Sequence, residues 1–157
     1  RQRQMCIRDR AIYDALNNDR DVNTVVIGDT DNVDMDKQTI FPLAHVLIQD
    51  MEFLHGFNRF SIVVSMMDLV DETKENITDI PADERWKGQD NRQDILNTTS
   101  AVLEKLVKFV ENTLSDDGYY LESKSKAVPF ELRFKNLLAG WDMTFVIDVP
   151  NTVQNCN

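Results

Sequence analysis

The densest group of residues able to bind a cation is the acidic segment from Gly28 to Lys37. Clustered carboxylates suit Ca²⁺, and an EF-hand loop beginning at Asp29 would need Asp or Asn at position 33, Gly at 34 and Glu at 40. The sequence has Val33, Asp34 and Ile40, so the pattern fails at three positions. We therefore predict a solvated acidic turn, whose carboxylates are Asp29, Asp31, Asp34 and Asp36.

Two of these carboxylates resemble a catalytic motif. From Val25 to Val33 an apolar segment leads into Asp-x-Asp-x-Val, which is similar to the first motif of haloacid-dehalogenase-type phosphatases. That resemblance implies Asp29 as nucleophile, Asp31 as general acid/base and a bridging Mg²⁺. It also implies a parallel sheet with crossover helices and a second acidic pair, for which Asp116-Asp117 is the candidate. Strands that follow strands along this chain argue against such a sheet, so this is the less favoured alternative.

The histidines and cysteines give no stronger catalytic signal. His45 and His55 lie ten residues apart, whereas a ligand pair within a strand is more often two or four apart on one face. We predict a hydrogen-bonded strand residue at His45 and a turn residue at His55. Cys156 stands alone near the C-terminus once Cys6 is assigned to the N-terminal segment, so no intramolecular disulfide is expected. The sequence thus predicts that the protein has no catalytic residue, metal site or cofactor, and that it is not an enzyme.

The first ten residues form a separate segment. Residues 1–10, RQRQMCIRDR, resemble translated sequencing-adapter sequence of the kind found at the edges of metagenomic reading frames. The alternative is a basic arm that binds nucleic acid. We assign 1–10 as a non-native tail, 11–150 as one domain and 151–157 as a C-terminal tail. No apolar run approaches the roughly 20 residues of a membrane span, and residues 1–10 lack the apolar region of a signal peptide.

The net charge of the chain limits its partners. The chain has 17 basic and 27 acidic residues, for a net charge of −10. Residues 1–10 contain four Arg and one Asp, which leaves 13 basic and 26 acidic residues and a net charge of −13 in the remainder. A general nucleic-acid binder requires a basic patch, so this acidic body argues against specific nucleic-acid binding.

One long amphipathic helix dominates the predicted fold. Between Asp90 and Leu114, apolar residues recur at steps of three or four, which predicts a helix over about 91–115. Asp90 or Asn91 can cap its first turn, and Gly118 can adopt the positive φ that follows a helix end. A shorter amphipathic helix is predicted over Ala11–Leu16. The long helix, at about 1.5 Å per residue, is long enough to cross a small domain.

Strands account for most of the remaining pattern. Two long strands, Thr39–Leu54 and Phe57–Val70, meet at His55-Gly56 and predict a β-hairpin. Asp71–Gln89 is a long polar loop, and Leu137–Gly140 is interpreted as a bend or bulge. The sequence therefore predicts an α+β fold with a mainly antiparallel sheet and the long helix packed on one face. The other predicted strands are Val25–Ile27, Tyr119–Ser123, Val128–Lys135 and Trp141–Val149.

Both faces of the predicted hairpin carry apolar side chains. The helix explains one face, so the other face is expected to meet a neighbouring subunit. The candidate contacts between subunits are Ile48, Val63 and Met67. Trp86, in the polar loop, either packs back on the domain or contacts a partner.

The element order and one short motif resemble a known family. The segment Phe41-Pro42-Leu43-Ala44-His45-Val46, entering the first long strand, is similar to the tail terminator (tail-completion) proteins of tailed bacteriophages. The resemblance implies a virion structural protein without an active site, forming a hexameric ring that caps the tail tube and contacts the head connector. Subunits that each carry a net charge of −13 would then line a channel through which DNA slides. The long loop and hairpin depart from the family, which leaves a neck or head–tail connector protein as an alternative.

Overall fold

The chain folds into a mainly antiparallel sheet with two helices, which confirms the predicted α+β class. The structure is a computed structural model, and it describes residues 7–29, 40–70, 92–116, 118–133 and 138–150. Along the chain the elements are α1 (Ile7–Asn17), β1 (Thr24–Ile27), β2 (Leu43–Leu54), β3 (Phe57–Leu69), α2 (Arg92–Asp116), β4 (Tyr120–Lys124), β5 (Val128–Arg133) and β6 (Leu138–Pro150).

Helix α2 forms where the apolar periodicity places it. The apolar side buries seven residues, and the hydroxyl of Thr99 donates to the carbonyl of Ile95 at 2.6 Å, so this buried polar group is satisfied. Gly118 follows the helix with φ 83°, as predicted from its lack of a Cβ. The buried residues of α2 are Ile95, Thr99, Val102, Leu103, Leu106, Val110 and Leu114.

The sheet is built around the hairpin β2–β3 and the last strand. The strands lie in the order β1, β2, β3, β6, and both β4 and β5 pair with the far side of β6. Gly56 turns the hairpin with φ 85°, as expected for the residue between the two long strands. The predicted mainly antiparallel sheet is confirmed, and among the described strands one pair is parallel, namely β1 with β2 over Leu43–Val46.

Strand β6 begins earlier than the sequence indicates. The sequence predicts a bend or bulge over Leu137–Gly140, but Leu138, Ala139 and Gly140 pair with β3 inside the sheet. A Cβ on Gly140 would stand 1.8 Å from the carbonyl oxygen of Met66, so glycine permits a close approach of two backbones here. Helix α1 also differs from its predicted bounds, since it begins at Ile7, inside the segment assigned as adapter-like.

Apolar cores lie on both faces of the sheet. We call the face that carries Phe60, Val64 and Met66 the helix face, because α1 and α2 cover it. The opposite face, here the reverse face, has a smaller core beside the start of β2. Part of the surface that was expected to meet another subunit is therefore covered within the protomer. The buried members of the reverse-face core are Phe41, Leu43, Met67 and Leu138.

Candidate interaction surface

The C-terminal part of β2 is the most exposed apolar part of the described sheet. The N-terminal part, Leu43–Val46, pairs with β1 on one side and β3 on the other. The C-terminal part, Leu47–Leu54, which we call the arm, pairs with β3 alone among the described strands. Burial changes at this boundary, since Leu43 is fully buried and the side chains beyond Val46 are exposed up to Phe53. The arm is therefore a free sheet edge within the described part of the chain.

Four large apolar side chains project from the arm. A bulge at Gln49 shifts the register between Ile48 and Asp50, so Ile48, Met51 and Phe53 share the helix face while Leu47 points to the reverse face. Contiguous exposed apolar groups of this kind are typical of protein-interaction surfaces. The exposed fractions are 39% for Leu47, 37% for Ile48, 42% for Met51 and 75% for Phe53.

The predicted subunit contacts do not share one face. Ile48 lies opposite Ile62 on the helix face, whereas Val63 lies opposite Leu47 on the reverse face and is half-buried. Met67 is 2% exposed and packs in the reverse-face core, so here it belongs to the protomer's own interior. Trp86 lies outside the described residues. The structure thus groups Ile48 with Met51 and Phe53, and the bulge explains why strict alternation in the sequence missed that grouping.

An ion pair supports the arm from the neighbouring strands. Arg59 on β3 donates to both carboxylate oxygens of Asp148 on β6, at 2.7 and 2.9 Å. The Arg59 guanidinium also lies 3.5 Å from Glu122 and 5.8 Å from the ring centre of Phe57. The hydrogen bond from Arg59 to Asp148 raises the pKa of the guanidinium further, so its charge is fixed. A bidentate pair restrains both strands, and this favours a pre-shaped surface at the end of the hairpin.

A second apolar feature, which we call the groove, lies beside α2 at the opposite edge of the sheet. It has a volume of about 220 Å³ and a rim that includes Ser100 and Glu104. The indole of Trp141 donates to the carbonyl of Leu96 at 2.9 Å, which fixes the ring against the helix. The groove is therefore preformed. Its apolar lining consists of Leu103, Val107, Ala127, Trp141 and Met143.

Among the described residues, the candidates for catalysis do not assemble into a site, and Asp117 of the second acidic pair lies outside the described residues. His45 donates from Nε2 to the carbonyl of Gly28 at 2.5 Å, which confirms a hydrogen-bonded strand histidine, and His55 lies in the turn as predicted. Asp29 is exposed just beyond β1, while Asp31 lies outside the described residues. Within the described ranges, no group of three or more His, Cys, Asp or Glu is placed to hold a metal ion. In the same ranges, neither helix has the length and apolar character needed to cross a bilayer.

Comparison with known proteins gives no family from which a function could be inferred. No protein-family model matches the chain, and no match was found among curated proteins. The features that bear on function are therefore the arm, the groove and the acidic net charge.

Proposed function

We propose that this chain is a structural assembly protein that binds copies of itself. The observation that carries the proposal is the arm, where Leu47, Ile48, Met51 and Phe53 are exposed beside one another on a sheet edge with which no described strand pairs. Exposing apolar groups on an edge strand invites aggregation unless a specific partner covers them. A bidentate ion pair behind the arm gives that partner a fixed shape to bind.

The assembly that we propose is the head–tail junction of a tailed bacteriophage. The support is the resemblance of the Phe41–Val46 segment and the element order to tail terminator proteins, which implies a ring that caps the tail tube. The net charge of −10 is compatible with a ring whose channel DNA passes without binding. A neck or head–tail connector protein would use the same ring and the same acidic lining, and it remains the alternative at this junction.

Measuring the mass of the purified full chain by light scattering tests the self-association. We expect an oligomer at micromolar concentration, and rings by negative-stain electron microscopy. Phe53→Ser should shift the population toward monomer, whereas Arg10→Ser, which changes a side chain on α1 that is 71% exposed and lies outside the arm and the β4–β5 edge, should not. A wild-type chain that stays monomeric throughout would contradict the proposal.

The viral role has an independent test. A portal or tail-tube gene next to the gene for this chain would support the head–tail junction. Neighbouring genes of cellular metabolism would remove that role while leaving self-association standing.

A further inference from the structure

The arm and the groove lie at diagonally opposite corners of the sheet. Phe53 is opposite Asn58, and Asn58 is opposite Val149, so the arm reaches the far end of β6. Met143, in the groove, is six residues back along that strand. At about 3.3 Å per residue and about 4.8 Å per strand, the two features are about 20 Å apart along the strands and at least about 10 Å apart across them. The arm therefore cannot fill the groove of its own copy.

The two features nonetheless match in shape. Ile48, Met51 and Phe53 project on the helix face, and the groove opens on that same face beside α2. If an arm lay along the outer edge of β4 and β5, its helix-face side chains would stand over the groove. Phe53 is the most exposed of these side chains and the largest, so it is the natural occupant.

The charges beside these apolar groups are also complementary. The arm carries Asp50, which accepts a hydrogen bond from Ser61 at 2.6 Å, and Glu52, both exposed. The opposite edge carries Lys124 and Lys126, also exposed, beside the groove residue Ala127. Lys124 forms an ion pair with Glu111 of its own copy, so Lys126 is the cation better placed for a partner. The same edge carries Glu122, which lies 3.5 Å from Arg59 of its own copy. The acidic arm facing Lys126 therefore favours one orientation of approach.

We infer that the arm of one copy lies against the β4–β5 edge of the next copy, with Phe53 inserted in the groove. Pro129 and the bulge between Leu121 and Ser123 interrupt that edge, so side chains rather than a continuous backbone ladder carry the contact. Since different surfaces of each copy meet, the contact is heterologous and propagates from copy to copy into a ring or filament. The inference rests on the proposed self-association, not on the viral role.

Site-directed cross-linking tests which surfaces meet. In a full chain with Cys6→Ser and Cys156→Ser, one preparation carries Met51→Cys, on the same face of the arm as Phe53, and a second carries Ala127→Cys. A short bifunctional maleimide should link the two only when they are mixed, and the chain with both changes should give a ladder of linked oligomers. Tyr120→Cys in place of Met51→Cys is the matched control and should give little linkage to Ala127→Cys.

Each other result of this experiment overturns the inference. Met51→Cys linking to itself would mean a symmetric dimer through the arm, and linkage inside one copy would mean that the chain's own residues cover the groove. An absent cross-link in a wild-type oligomer would place the interface elsewhere, and the proposed function would stand. An absent cross-link in a monomeric chain would remove both.

Charge reversal gives a second readout that does not depend on thiols. Glu52→Lys and Lys126→Glu should each weaken self-association by about tenfold, which corresponds to about 1.4 kcal/mol. A mixture of the two variants should recover association, because the opposite charges then meet in trans. Equal weakening in the mixture and in the single variants would contradict the pairing of these edges.

Discussion

The two parts of strand β2 both carry large apolar side chains, but they have opposite environments. Leu43–Val46 is covered by β1, by α1 and α2 and by the reverse-face core, and three of its four residues are buried. The arm carries Leu47, Ile48, Met51 and Phe53 among polar residues, but β1 ends opposite Val46 and leaves the residues beyond it exposed up to Phe53. For these apolar side chains the difference in burial comes from the neighbouring elements. It teaches that an apolar strand pattern identifies a surface to be covered without telling whether the cover is the same chain or another one.

The strongest test of this contrast is the same substitution made in both parts of β2. Leu43→Ala removes a fully buried side chain from the reverse-face core and should lower the free energy of unfolding by about 2–5 kcal/mol. Leu47→Ala removes the same side chain where it is 39% exposed, and should change stability far less. Urea denaturation of the monomeric protein measures both. Similar losses for the two variants would mean that the arm is covered within the protomer.

A pair of glycines tests the contrast at the level of the backbone. Gly140→Ala should cost about 1–3 kcal/mol, because its Cβ would meet the Met66 carbonyl and separate β3 from β6. Gly56→Ala, at the hairpin turn, meets nothing within 4 Å and should cost only the strain of its positive φ, about 1 kcal/mol. Thermal unfolding compares them, and a milder effect at Gly140 would show that the two strands separate easily.

The ion pair behind the arm should matter less than the core and more than a surface pair. Arg59→Ala leaves the Asp148 carboxylate, whose side chain is 12% exposed, without its bidentate partner, so stability should fall measurably. Lys108→Ala breaks the exposed pair with Glu104, and the change should be near zero. Urea midpoints at low and high salt measure both. Equal midpoints for the two variants would mean that the arm is held by packing alone.

The smallest expected effect is a pH dependence from Asp68, on the buried half of the hairpin. Burial raises the pKa of this carboxyl, although the backbone N–H of Leu69 donates to it and acts in the opposite direction. The folded state then holds its proton to higher pH than the unfolded state, so stability falls as pH rises above the ordinary value of 3.8. Asp68→Asn should remove that decline, and an unchanged pH profile would contradict it.

Local patterns predicted most of the elements because short-range forces form them. Periodicity located α2 to within two residues, and Gly56 and Gly118 have the positive φ that their positions required. The bend or bulge predicted at Gly140 is wrong because a glycine within an apolar run indicates such an interruption unless the neighbouring strand is known. The parallel pairing of β1 with β2 was missed for a related reason, since hydrophobic alternation does not specify which strand lies beside which.

The candidate surface was predicted only in part. Ile48 belongs to it, but Met51 and Phe53 were absent from the prediction because the bulge at Gln49 reverses the faces of the residues that follow. Met67 was predicted to face another subunit on alternation alone, and the sequence gives no sign that Phe41 and Leu138 cover it. The groove depends on α2 meeting β6 through Trp141, a contact between residues 45 positions apart. Such tertiary contacts cannot be inferred from periodicity.

The central position of β6 has a consequence for biosynthesis. Residues 138–150 pair with β3 on one side and with β4 and β5 on the other, and they are the last of the described strands to be synthesised. Until they emerge from the ribosome, the nascent hairpin has a second unpaired edge along β3, and β4 and β5 lack the strand with which they pair. The described sheet therefore closes only after residues 138–150 have been synthesised, and its unpaired edges are the surfaces that a chaperone would bind before then.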